Sequence, residues 1–257
     1  QIGGGSIFDT MGDIISLLNI HVDIINISAS VRVPAILTAA VGPFDFVTRI
    51  ASANTIIFAS AGNAGEDVDE EDCFVGCWEA AWIAPCENGG VECVGAQAPD
   101  STQRASFSNY GAEEVDLAGP GTVLITNINN DGTFDGSTRN ASGTSYSSPF
   151  VAGIAALIFA ANPNLSVAQV RHILYDTARA PRNLIGRQPD ATRAVLRALG
   201  KDVPAIWITA PEVGFSTVPG PFNYFNLNAE TWDYRDDADE MHVRWLSDKD
   251  GLLGIGL

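Results

Sequence analysis

A hydroxyl nucleophile needs an exposed oxygen and nearby N–H groups that can meet developing negative charge. The run Gly143-Thr144-Ser145-Tyr146-Ser147-Ser148-Pro149 offers such a place. It leads into a nearly all-apolar stretch, Val151 to Ala161, which reads as a buried central helix. The first turn of a helix carries partial positive charge and N–H groups without intrahelical acceptors. Ser145 at this junction can expose its Oγ while its own N–H faces a developing oxyanion. Pro149 suits a first helical turn, where its missing N–H costs nothing. A second donor is offered by Asn63, within Ala59-Ser60-Ala61-Gly62-Asn63-Ala64-Gly65, because an amide N–H can be aimed at the same oxygen. The bland alternatives are a Ser or Thr N-cap on a core helix and a turn asparagine between two glycines.

The surrounding residues decide between these readings. Gly143-Thr144-Ser145-x-x-Ser148-Pro149-x-Val151-Ala152-Gly153 resembles the nucleophile motif of the subtilisin-like serine proteases, the subtilases, with Ser145 matching the nucleophile. Tyr146 and Phe150 stand where the family most often has Met and His. Ala59 to Gly65 looks like the segment that carries the oxyanion asparagine, matched by Asn63. Asp23-Ile24-Ile25-Asn26-Ile27-Ser28 looks like the strand whose exit, Ser28-Ala29-Ser30, pairs with an extended substrate; Ser30 stands where the family usually has Gly. Arg104 to Gly111 and Val115 to Gly121 resemble scaffold motifs. The resemblance implies a three-layer α/β fold around a parallel sheet and peptide-bond hydrolysis through an acyl-enzyme. Ser145 would attack, Asn63 and the Ser145 N–H would hold the oxyanion, and Ser28, Ala29, Ser30 and Gly62 would bind substrate. No cofactor is implied, and structural calcium is left open.

A serine nucleophile also needs a general base and an orienting carboxylate. The histidines are His21, His172 and His242, and none sits in a His-Gly-Thr-like motif. Asp9-Thr10-Met11-Gly12 mimics the family's Asp-Thr-Gly, but it directly precedes the strand ending at Ser28, whereas the family's Asp and His segments come earlier. The resemblance is therefore expected to cover residues 1–200 as the later part of a catalytic domain, its Asp and His segments and N-terminal strands preceding Gln1. On that expectation this chain alone is nearly inert and its parent active. The rival is a non-catalytic homologue that serves as a binding or surface-adhesion module.

The elements that must position these residues are legible in outline. Short apolar runs at 21–28, 55–59 and 91–96 read as buried strands, and helical patterns at 6–19 and 34–52 alternate with them, which predicts a parallel sheet covered on both faces. Val123 to Thr138 reads as a β-hairpin turning at Asn130-Asp131-Gly132. Ser166-x-x-Gln169 is a capping box that opens a helix, and a further helix lies near 190–199. Residues 201–204 mark a boundary. Beyond it, short runs at Ala205 to Thr209, Phe222 to Ala229 and Met241 to Trp245 look like the start of an immunoglobulin-like or PKD-like β-sandwich over 201–257, incomplete at Leu257, with Trp207, Trp232 and Trp245 in its core.

Composition narrows the partners. The chain has 257 residues and a formal net charge of −17, with Lys201 and Lys249 as its only lysines. Such a surface repels a phosphate backbone, which argues against nucleic acid and leaves a protein or peptide substrate. No apolar run reaches the ~18 residues of a membrane span. Cys73, Cys77, Cys86 and Cys93 fit no common zinc spacing; they read as two disulfides stapling a surface loop, with all three pairings open, and point to a secreted, extracellular protein. The acidic run Glu66 to Asp72 reads as a solvated loop.

Overall fold

The computed structural model describes residues 7–34, 39, 41–69, 71–72, 78–79, 81–99, 103–129, 132–179, 186–201, 205–210, 228–232, 243–247 and 251–256. The expectations for Cys73, Cys77, the Asn130-Asp131 turn, the 202–204 boundary and His242 fall outside these residues. The chain divides into two compact units, Gln1–Ala198 and Leu199–Leu257.

The first unit opens with helix α1 (Ile7–Asn19), strands β1 (Ile24–Ile27) and β2 (Val31–Pro34), helix α2 (Gly42–Ala51) and strand β3 (Ile56–Ser60). Two short strands, β4 (Glu71–Asp72) and β5 (Trp78–Glu79), precede β6 (Ala81–Ala84) and β7 (Val91–Gln97). Then come β8 (Leu117–Pro120), β9 (Thr122–Ile128), β10 (Phe134–Ser142) and helices α3 (Thr144–Ala161), α4 (Val167–Asp176) and α5 (Ala191–Ala198).

Strands β1, β3, β7 and β8 form a parallel sheet in the order β1-β3-β7-β8. Every residue of β3 is buried, as a strand covered on both faces requires. Alternate side chains point to opposite faces of a strand, and β3 divides accordingly. Ile56 and Phe58 join Val94 and Leu117 against Val151, Ile154, Ala155 and Ile158 of α3, with Val170 and Leu174 of α4. Ile57 and Ala59 join Ile25 and Ile27 against Ile14 of α1 and Phe44 of α2. The result is three layers: helices, sheet, helices. The capping box at the start of α4 is formed, with Ser166 Oγ accepting from the Gln169 N–H at 3.3 Å and Gln169 Oε1 from the Ser166 N–H at 2.8 Å.

Helix α3 departs from expectation twice. It begins at Thr144, so Pro149 lies inside it, in the second turn; the ring nitrogen cannot donate to the Ser145 carbonyl one turn back. Nor is the helix buried all round: Phe150 and Leu157 are each 50% exposed. An unbroken apolar run has no periodicity that could mark an open face, so the sequence pattern hides it. Among the described residues α3 is also the one helix long and apolar enough to cross a membrane; it packs instead on the four-stranded sheet.

The segment between β3 and β7 is more ordered than its composition suggests. Strand β6 pairs antiparallel with β2, Val31 opposite Ala84 and Pro34 opposite Ala81. Cys86 and Cys93 form a disulfide, and both are buried beside Ala61, Ile83 and Val115. This pair is core, not a surface staple, because Cys93 belongs to a central strand. In the acidic run, Val68 is buried and Asp69 accepts from the N–H groups of Ala112, Glu113 and Glu114, so a carboxylate expected in solvent caps a turn. Strands β9 and β10 form the expected antiparallel ribbon, which runs past Thr138 to Ser142 and ends against Gly143. In the second unit, β11 (Ala205–Ala210) pairs antiparallel with β12 (Asn228–Trp232), and β13 (Val243–Ser247) with β14 (Gly251–Gly256).

Candidate active site

Parallel strands point their carboxyl ends the same way, and ligand sites of open α/β sheets form there. At that end, β3 runs out through Ala61-Gly62-Asn63, β1 through Ser28-Ala29-Ser30, and α3 starts at Thr144. Thr144 joins the first and last of these. Its N–H donates to Asn63 Oδ1 at 2.8 Å and its Oγ1 donates to the same oxygen at 3.0 Å. The Gly62 N–H in turn donates to Thr144 Oγ1 at 3.1 Å. A backbone N–H must be met by an acceptor, which fixes which end of the Asn63 amide faces Thr144 and leaves Nδ2 as the outward donor.

That donor and Ser145 face one space. A Cβ placed on Gly143 would lie 3.5 Å from Asn63 Nδ2 and 3.8 Å from the Ser145 nitrogen. The Ser145 N–H is a first-turn amide that the helix leaves without an intrahelical acceptor. Asn63 Nδ2 and the Ser145 backbone nitrogen therefore flank one point at the start of α3, a placement suited to an oxyanion. The hydroxyl itself donates to the Ser28 carbonyl at 3.2 Å. Ser148 Oγ donates to Asn26 Oδ1 at 2.6 Å, and Asn26 Nδ2 donates to Ser28 Oγ at 2.9 Å, so the β1 exit is tied to the first turns of α3.

The wall opposite is equally close-fitting. Gly62 has φ +104°, and a Cβ there would meet Asn109 Nδ2 at 2.6 Å and Ser30 Oγ at 3.3 Å; only glycine fits both the backbone angle and the space. Ala29, Ser30 and Asn63 are exposed, while Ser28 and Ser145 are half-buried. All six sequence-selected residues, Ser28, Ala29, Ser30, Gly62, Asn63 and Ser145, thus gather at one end of the sheet. Where β7 and β8 end, a cleft of about 500 Å³ opens between Gln97, Pro99, Gly121, Thr122, Leu124 and Asn140; none of the six sequence-selected residues lines it.

Thr144, Asn26, Ser148 and Asn109 complete the arrangement and were not singled out by residue type. Asn26 carried a signal, an amide inside an otherwise apolar strand; Asn109 did not, since an asparagine before Tyr-Gly reads as an ordinary turn residue.

The described histidines stand elsewhere. His21 precedes β1 at the amino-terminal end of the sheet, in a left-handed turn at φ +55°. His172 lies on α4, paired with Asp176 at 3.0 Å, beside a cavity of about 570 Å³ lined by Val91, Glu92, Asp116, Arg171 and Tyr175. That cavity sits where β7 begins, at the other end of the strands from Ser145. An acidic pair lines it, buried Glu92 and half-buried Asp116. Glu92 accepts from Arg171 Nε and Tyr175 Oη, and Asp116 Oδ2 accepts from the Cys93 N–H at 2.8 Å. Burial, then the Glu92 charge, pushes the Asp116 carboxyl up to about 7, against the opposing pull of the Cys93 N–H. Burial and the same two carboxylates push the Tyr175 hydroxyl up. Among the described residues, no group of three or more His, Cys, Asp or Glu side chains is placed to hold a metal ion.

Comparison with known proteins identifies the family. Residues 2–201 match the model of the subtilase family, Peptidase_S8. An extracellular basic protease of Dichelobacter nodosus is 32% identical over 165 residues, 60% of this chain and 25% of that protein. Subtilisin BL of Lederbergia lenta is 34% identical over 134 residues, 51% of this chain and 42% of that protein. The chain therefore spans 25% to 42% of the length of these curated relatives. The crystal structure of a lanthipeptide protease superposes with a TM-score of 0.64 at 22% identity, over 76% of this chain and 67% of that one, a likeness of fold.

Proposed function

The chain belongs to the subtilase family, and on that premise we propose that it forms the nucleophile and oxyanion hole of a serine endopeptidase. Ser145 Oγ attacks the scissile carbonyl carbon, and its proton passes to a general base. The carbonyl oxygen, now negative, is held by Asn63 Nδ2 and the Ser145 N–H. Collapse of the tetrahedral adduct, as the base returns the proton to the departing amine, leaves an acyl-enzyme, which water hydrolyses with its proton passing to the same base. The single observation that carries this reading is the Thr144–Asn63 pair at 2.8 Å, because it commits Asn63 Oδ1 to the start of α3 and leaves Nδ2 as the donor beside it. The base and its carboxylate are taken to lie outside the described residues, since His21 and His172 stand at the far end of the sheet. Extended substrate lies along Ser28, Ala29 and Ser30, with Gly62 as the opposing wall. The steps as proposed use protein groups and water alone.

The relatives' names support an extracellular setting, and a buried disulfide supports an oxidising one. We read the substrate as protein or peptide, not nucleic acid. We read β11 to β14, two antiparallel pairs, as the first strands of an immunoglobulin-like or PKD-like sandwich. Labelling of the full-length protein with a fluorophosphonate, native against Ser145→Ala, tests the central claim. Label that depends on Ser145 is expected; equal label on both proteins, or none on the native one, would overturn it and favour a binding module.

A further inference from the structure

Asn63 is exposed, on a loop that carries left-handed glycines at Gly62 and Gly65, φ +104° and +70°. An oxyanion donor on such a loop needs its backbone held to within about 0.5 Å of the working position. The side chain of Asn109 supplies the grip. It is 3% exposed, and all its amide bonds go to the residues flanking Asn63. Nδ2 donates to the Ala61 carbonyl at 2.9 Å. Oδ1 accepts from the Ala64 N–H at 3.0 Å and the Glu66 N–H at 3.2 Å. Its backbone N–H also donates to the Gly62 carbonyl at 3.0 Å.

Asn109 is itself anchored to the sheet. The preceding Ser108 is fully buried, and its Oγ accepts from the Ala96 N–H of β7 at 2.9 Å. Arg104 Nη1 donates to the Ser108 carbonyl at 2.8 Å, and the guanidinium lies 4.2 Å from the Tyr110 ring centre. A rigid chain of contacts thus runs from β7 through Ser108 to Asn109, and from both ends of its amide to the two sides of Asn63.

We propose that Asn109 is a positioning residue that sets where Asn63 presents its N–H to the oxyanion, acting through the Ala61–Glu66 loop without touching substrate. The proposal rests on the oxyanion reading of Asn63. If Asn109 works through Asn63, its removal lowers the rate of the chemical step only while Asn63 is present.

The test is a double-mutant cycle in the full-length protein. kcat and KM are measured for a peptide substrate and normalised to sites titrated exhaustively with a fluorophosphonate. Asn63→Ala is expected to lower kcat by about 10²–10³. Asn109→Ala is expected to lower kcat by about 10-fold or more with KM within about 2-fold, and to change kcat by less than about 2-fold when added to Asn63→Ala. Asn109→Ser, small and uncharged, also removes the amide contacts while offering a hydroxyl to the loop, so it runs the same cycle if the alanine variant does not fold. A full Asn109 effect persisting in the Asn63→Ala background, or no Asn109 effect on kcat, overturns the proposal while leaving the oxyanion reading intact. A kcat untouched by Asn63→Ala overturns the oxyanion reading, and this proposal with it.

Discussion

Replacing Asp116 by Asn should make the first unit more stable, and only on the alkaline side. An ordinary aspartate titrates near ~4, whereas the Asp116 carboxyl titrates at about 7, raised first by burial and then by the charge of Glu92. The folded chain thus keeps a proton that the unfolded chain has released between these values. The stability this group contributes is fully present below the unfolded value. It is lost as pH rises through the folded one. Three pH units of such a window correspond to about 4 kcal/mol. The asparagine side chain would retain an acceptor for the Cys93 N–H, now 2.8 Å from Asp116 Oδ2, and would carry no charge to set against Glu92. Urea titrations of the native and Asp116→Asn proteins should therefore agree to within about 1 kcal/mol near ~pH 4 and diverge by up to about 4 kcal/mol near ~pH 8, the variant being the more stable. Comparing the two proteins at each pH cancels the titration of every carboxylate that does not interact with Asp116, leaving only that of Asp116 and its charged neighbours Glu92 and Glu114. A gap that stays constant from acid to alkaline pH would show that Asp116 does not titrate differently in the two states, since a purely structural effect of the substitution has no reason to vary with pH.

Two further outcomes concern packing. Phe58→Ala empties a fully buried position between the sheet and α3 and should cost about 3–5 kcal/mol, read as a lower urea midpoint with unchanged m-value. Gly62→Ala drives a methyl to 2.6 Å from Asn109 Nδ2 at φ +104°; it should cost about 2 kcal/mol or more and slow fluorophosphonate labelling, and a labelling rate equal to native would show that the loop does not matter to the nucleophile.

The sheet was legible because burial on both faces leaves a blunt trace: Ile56-Ile57-Phe58-Ala59 is apolar throughout and lies within β3, which starts one residue after the expected run of 55–59 and ends at Ser60. Ser145 and Asn63 were legible because each stands in a run of small residues where the chain leaves a strand. The pairing of β2 with β6 was not, since four-residue strands some fifty positions apart leave no periodicity long enough to read. The open side of α3 was hidden for the opposite reason: a helix apolar at every position gives the same pattern whether one face is covered or bare. Cys86 and Cys93 showed that a bond was available, but burial of the pair depends on a strand order that spacing alone does not carry. Asn109 was opaque because its work is done entirely by hydrogen bonds to backbone groups distant in sequence, which no residue type announces.

The contact between Thr144 and Asn63 spans 81 positions of chain, and every neighbouring pair in the central sheet is joined across an intervening stretch. Assembly of such long-range pairings is slow, because chain entropy is surrendered before the contacts that reward it exist. A ribosome-bound or half-collapsed polypeptide therefore has its hydroxyl and its amide apart. The Thr144–Asn63 pair, and with it the arrangement proposed for the oxyanion, therefore forms only together with the sheet that carries it.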